Sequence, residues 1–369
     1  MKAAGLIDLE DAEGLVAADR DGLLRAASMA GAQVRSVAAA VDEGGLDALR
    51  DTANRARSVI WVAGCGTAET AGALLASALA PVAGEPIVQA GQAPPWLGPL
   101  DVLVVAGDDS ADPALVAAAA TGVRRGARVV VVAPYEGPLR DSTAARAAVL
   151  APRMQVPGEF GLCRYLGAGL AVLNTVDSRV AVDPWTLADE LDAEALRNSA
   201  ARDLFTNPAK TLAARIADCR VTLAGDNAAT LALARHGSSV LLRIAHHTVA
   251  AAGLTDAVAA LRDGAGGVTD PAEALFHDEQ IDGPLPARLR VLALTLGAER
   301  TVVAARAAGV DGVELVQAED VPVPSASAGI PADPRALRPP PAAAGTEWQL
   351  AVLAVRLEMA AVYLRLARG

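Results

Sequence analysis

Ser58–Thr67 reads SVIWVAGCGT and Asp101–Ser110 reads DVLVVAGDDS. Each is an apolar run that breaks into glycine and polar residues ahead of a helical stretch, and a third such run, Ala127–Ala133 (ARVVVVA), follows them. Strands apolar on both faces and alternating with helices belong to a parallel sheet covered by helices. The spacing therefore predicts an α/β chain, whose ligands bind at the turns beyond the carboxyl ends of its strands.

Working outward, Pro86–Gln89 predicts another strand, and Phe160–Val176 a helix packed on the same core. A second α/β unit opens with a strand at Arg220–Ala224, a turn at Gly225-Asp226-Asn227 and a helix at Ala228–Arg235, with further strands expected at Ser238–Ile244 and Leu289–Thr295. Ahead of both units lie mixed-charge helices with an amphipathic stretch over Gly22–Val41. Asp183-Pro184-Trp185 breaks the chain before a charged helix at Leu187–Asn198, and Pro208 suits the first turn of the next helix. Gly264–Pro271 and the proline-rich Val321–Gly345 read as loops. The terminal helix Glu347–Ala367 is apolar on most of its surface and should return to the core or meet a second subunit. The expected organisation is a helical segment (1–57), a first α/β domain (58–200), a second (201–320), a loop (321–345) and a closing helix (346–369).

Composition narrows the function. The 369 residues are 53% hydrophobic but only 3% aromatic, so the core must be built mainly from Ala, Val and Leu. A net charge of -11 argues against nucleic acid or an anionic membrane as partner. Cys65, Cys163 and Cys219 form no paired motif, so neither a disulfide framework nor a zinc site is expected, and a reducing cytoplasm is. The opening MKAAGLIDLEDAEG has acids where a signal peptide has an apolar core, and no run offers the roughly 20 apolar residues of a membrane span. A dinucleotide fold would want glycine where Glu69 stands and an acid where Gln89 ends the second strand, so no nicotinamide or flavin cofactor is expected. Asp108, Asp109 and Asp112 read first as helix-capping acids, and His277-Asp278-Glu279 as a solvated loop, so no metal site is expected either.

Four stretches carry a resemblance: VIWVAGCGTAETAG (59–72), DVLVVAGDDSADPALVAAAATGVRRGARVVVVAP (101–134), RIAHHTVAAAGL (243–254) and EMAAVYLRLARG (358–369). Together they make the chain resemble the sugar isomerase (SIS) superfamily, and within it the bifunctional phosphoglucose/phosphomannose isomerases of the TobH-like branch. The resemblance implies two SIS-type domains, each a parallel sheet flanked by helices, with the N- and C-terminal helices packing across them. It also implies a sugar phosphate or other carbohydrate derivative as ligand, and a homodimer in which the histidine segment of one subunit completes the cleft of the other.

Carried over residue by residue, the resemblance assigns ligand-binding positions to Gly64, Cys65, Gly66 and Thr67 in the first turn and to Asp108, Asp109 and Ser110 in the second. In the family the second turn reads approximately Ser-Xaa-Ser-Gly-Asn-Thr-Glu-Glu-Thr and holds the sugar phosphate. The matching run here is Ala106–Ala114, in which Ser110 alone keeps a hydroxyl. Losing three charge-assisted hydrogen bonds costs about 1.5–3 kcal/mol each. A micromolar site has only about 8 kcal/mol to lose. The family's arginine, placed soon after a proline, has no counterpart behind Pro157, where Gly158 and Glu159 follow; Arg153 and Arg164 are near but not at the matching place. The ring-opening histidine falls at His246 or His247, which cannot both point inward from one helix face. The family's glutamate base falls near Ala234-Arg235-His236, with no acid between Thr230 and Val249; an active isomerase would need relocated residues, with Glu159 as the base. The expectation is a carbohydrate-derivative-binding or regulatory protein without efficient isomerisation. The alternatives are an active isomerase working through Glu159 with His246 or His247, and a structural homodimer without ligand.

Overall fold

The computed structural model describes residues 7–50, 55–177, 179–180, 182–217, 219–265, 288–318 and 345–368. The loop expected over 321–344 and the His277-Asp278-Glu279 segment lie outside these residues.

Three helices, α1 (Ala12–Ala18), α2 (Leu23–Ala27) and α3 (Ala30–Asp42), precede the first sheet. The amphipathic stretch is thus split at Ser28–Met29, and α3 turns Ala30, Val34 and Val37 into the core. The sheet contains β1 (Ser58–Ala63), β2 (Ile87–Ala90), β3 (Asp101–Ala106), β4 (Arg128–Val132) and β5 (Ala148–Val149), all parallel, in the spatial order β2-β1-β3-β4-β5. Helices α4 (Thr67–Leu79), α5 (Pro113–Arg124) and α6 (Gly137–Thr143) connect these strands. Alternation sorts the strand side chains: Val59, Trp61, Val102 and Val104 share a core with Leu74 and Leu75 of α4, while Ile60, Val62, Leu103 and Val105 pack with Leu115 of α5 on the other face.

Helices α7 (Leu162–Val176), α8 (Pro184–Arg197) and α9 (Pro208–Ala217) lead to the second sheet. It is also parallel and comprises β6 (Arg220–Gly225), β7 (Ala250–Gly253), β8 (Leu289–Leu294) and β9 (Val313–Val316) in the order β7-β6-β8-β9, with α10 (Ala228–Ala245), α11 (Leu254–Ala260) and α12 (Arg300–Ala307) between the strands. The expected strand at Ser238–Ile244 is instead the second half of α10. Its buried Leu233, Gly237, Val240, Leu241 and Ile244 recur at helical intervals, and Gly237 is there for close packing, since a Cβ would come within 2.7 Å of Leu223 and 3.1 Å of Leu357. One edge strand is β7, whose sequence AAAG gives no signal because alanine and glycine have low strand propensity.

The last helix, α13 (Thr346–Arg368), packs against α8, α9 and α10 and is buried on every side from Gln349 to Leu364. Its apolar surface is covered within one chain, so it supplies no argument for a second subunit. Two of the charged residues on it are paired inside the core: Arg356 with Glu194 of α8 (2.9 Å), and Glu358 with His236 of α10 (3.0 Å). Among the described residues no helix is long and apolar enough to cross a membrane.

Candidate functional site

In the first sheet Ser58 lies opposite Asp101 and Ala63 opposite Ala106, so the turns after β1 and β3 leave the sheet side by side. The strand order reverses here, α4 running back on one face and α5 on the other, and such a switch point opens a crevice beyond the carboxyl ends of the strands. The turn Gly64–Thr67 thus leaves the sheet beside the turn Gly107–Ser110, and a Cβ on Gly64 would stand 3.4 Å from Asp112 and 3.9 Å from Gly107. Gly66 has φ 93°, a conformation natural to glycine, and Cys65 is exposed at the rim. Thr67 does not offer its hydroxyl to the crevice: Oγ1 donates to the Gly158 carbonyl (3.0 Å) and ties the first turn to the segment ahead of α7.

Two acids of the second turn accept from its own backbone. Asp109 Oδ1 accepts from the Ala111 N–H (2.8 Å), and Asp112, the N-cap of α5, accepts from the Ala114 N–H (2.8 Å). These two acids therefore cap local backbone, as the sequence suggested. Asp108 does something else. Its Oδ1 accepts from the Tyr165 hydroxyl (2.6 Å) and from Arg164, whose guanidinium carbon sits 4.3 Å from the centre of the Tyr165 ring. The Arg164 side chain is only 12% exposed. Burial pushes the Tyr165 phenol well above its usual value, so it stays a donor at physiological pH.

Sequence reasoning passed over Arg164 because it stands off the family position. A signal was nonetheless there. It is the sole charge between Phe160 and Val176, and a charge inside an apolar helix must find a partner.

Glu159 reaches the same region from the short helical turn Gly158–Phe160, where its carboxylate is ion-paired with Arg243 of α10. His246 follows Arg243 by three residues and ends α10 in the left-handed conformation (φ 50°, ψ 35°), exposed to solvent. His247 turns the other way, its Nδ1 2.9 Å from Arg368, and burial together with the Arg368 charge lowers its pKa below the usual value. Glu159 and His247 are thus each engaged by an arginine, on different elements.

The second sheet has its own switch point between β6 and β8. Asn227, which caps α10, also donates from Nδ2 to both oxygens of Glu299 (2.7 and 2.8 Å), bolting the two turns together. Beside this bolt is a cleft of about 670 Å³, lined among others by Leu296, Glu299, Thr346 and Arg179.

No protein-family model and no curated protein sequence matches the chain. Solved structures do match it. Tagatose-6-phosphate ketose/aldose isomerase from Escherichia coli superposes over 94% of this chain and 92% of its own, with 14% identity and a TM-score of 0.59. The C-terminal domain of glucosamine-fructose-6-phosphate aminotransferase from Francisella tularensis covers 95% and 98%, with 11% identity and a TM-score of 0.56. A protein described as a phosphosugar isomerase from Clostridium difficile 630 covers 94% and 93%, with 10% identity and a TM-score of 0.62. This is the sugar isomerase fold. At such identities the likeness speaks for the fold alone, and the chemistry of this member must be read from its own side chains. In a parallel sheet the crevice beyond a switch point is where ligands bind, and the one at β1/β3 is bordered here by three carboxylates and the Arg164 guanidinium.

Proposed function

We propose that the chain is a carbohydrate-derivative-binding protein built on the sugar isomerase fold, that its ligand sits in the β1/β3 crevice, and that it does not isomerise sugar phosphates efficiently. The observation that carries this reading is the Glu159–Arg243 ion pair. Moving a proton between C1 and C2 needs a base free to approach carbon, and a carboxylate held by a guanidinium is turned away from that task. Losing one positioned acid or base costs about 10²–10⁴-fold. Coupled assays with fructose 6-phosphate and mannose 6-phosphate should therefore give turnover well below about 1 s⁻¹, against roughly 10 s⁻¹ for a median enzyme. Turnover at or above that level would favour an active isomerase instead.

Within the same reading, residues 58–200 and 201–320 are the two SIS-type domains and the protein works in the cytoplasm. It forms a homodimer whose contact is made by the exposed end of α10, so that His246 of one subunit faces the crevice of the other. Sedimentation at micromolar concentration should give about twice the 37.3 kDa of one chain. A single 37.3 kDa species would remove the dimer but leave the crevice untouched.

A further inference from the structure

We infer that Asp108 is the specificity-determining residue of the crevice: its carboxylate stands in for a phosphate group, and the crevice takes a sugar derivative that carries no phosphate at that end. The inference rests on the carbohydrate-binding reading above. Two donors from one helix, the Arg164 guanidinium and the Tyr165 hydroxyl, converge on a single oxygen of Asp108. That is how a site addresses an anion, with a cation and a neutral donor meeting on one acceptor. Arg164 is nearly buried and would need a counter-charge even in an empty site; Asp108 supplies it from within the chain. Two backbone donors after the same turn are spent as well, the Ala111 N–H on Asp109 and the Ala114 N–H on Asp112. An incoming phosphate would find the Arg164 guanidinium and the Tyr165 hydroxyl already engaged and would lie among three carboxylates, at the end of β3 where the fold presents its second turn. The other oxygen of Asp108 lies 3.1 Å from where a side chain on Gly158 would begin, so the carboxylate fills the gap between the two walls.

Asp108 could instead be only a strap that fastens the β3 turn to α7, and the two roles separate by experiment. The variant Asp108→Ser should be less stable than the natural chain, because Arg164 loses its counter-charge. Adding 20 mM inorganic phosphate or glucose 6-phosphate should then raise its melting temperature by about 3 °C or more, as a ligand well above its Kd does. The natural chain should not shift beyond a sodium chloride control of equal ionic strength. The double variant Asp108→Ser/Arg164→Gln should lose the response. If Asp108→Ser does not fold, the near-isosteric Asp108→Asn, which can still accept from Tyr165, takes its place in the same measurement. A strap alone predicts lower stability with no anion response in either variant, and that result overturns the inference. A natural chain stabilised by glucose 6-phosphate as strongly as the variant also overturns it, while leaving carbohydrate binding standing. Conversely, a variant that gains phosphate while the natural chain binds no neutral sugar would sink the carbohydrate reading and keep the role of Asp108.

Discussion

Replacing Glu194 by alanine should destabilise the protein by about 3–5 kcal/mol, the usual cost of leaving one member of a buried ion pair without the other. Glu194 is fully buried on α8 and accepts from Arg356 Nε (2.9 Å), Arg197 Nε (2.9 Å) and Asn198 Nδ2 (2.6 Å). Burial opposes its charge, yet Arg356, Arg197 and Asn198 together hold its carboxyl below the ordinary glutamate range. Arg356 also donates to the carbonyls of Gln317 and Ala318, and Tyr363 donates to the Asn198 carbonyl (2.6 Å), so the network joins α13, α8 and the end of β9. The apolar double variant Glu194→Leu/Arg356→Met should recover part of the loss, but not all, since the two carbonyls lose their donor. Urea titrations of the single and double variants give the comparison. A loss below about 1 kcal/mol for Glu194→Ala would put this pair in the class of exposed bridges.

Acid should unfold the protein steeply. Asp101 is buried at the start of β3; burial opposes its charge, but Arg57, the Ser58 hydroxyl and the Gly98 N–H hold its pKa below the usual value. Asp177 is depressed in the same way: burial works against it, while Arg179 (2.9 Å) and the Gly84 N–H (2.7 Å) outweigh the penalty. Glu194 is the third. A carboxyl with a lowered folded-state pKa stabilises the fold fully above its unfolded value, about 4. That stability is lost as pH falls through the folded value. The melting temperature should therefore be level between about pH 5 and 7 on this account and fall below about pH 4. Asp101→Asn combined with Asp177→Asn should start lower and slope less. An unchanged slope in that variant would mean that other groups control the acid transition.

Much of the frame was legible in the sequence because buried parallel strands are marked by continuous apolar runs. Ser58–Ala63 and Asp101–Ala106 are legible with their boundaries, whereas the strand order that sets their turns side by side is not. The same rule misled at Ser238–Ile244, where an apolar stretch after a glycine belongs to a helix, and it was silent at Ala250–Gly253. The polar wiring was not legible, because it joins residues that only the tertiary fold brings together. Arg164 meets Asp108 across 56 positions, and His236 meets Glu358 across 122. Searching for an acid between Thr230 and Val249 could not find Glu358, nor could position alone show that Glu159 would be claimed by Arg243.

The central place of α13 has a consequence for how the protein is made. A ribosome delivers this helix after every element it touches, from α1 to α10. Until it emerges, the apolar faces of α8, α9 and α10 that close on Leu350–Leu364 have nothing to cover them, and the carboxylate of Glu194 waits for Arg356. The nascent chain must therefore carry an open groove from the completion of α10 at Ala245 until α13 emerges, a natural load for a holding chaperone. Translation stalled ahead of Thr346 should yield a species that binds hydrophobic dyes and aggregates, and a separate peptide spanning 346–368 added in trans is the reagent that should rescue it.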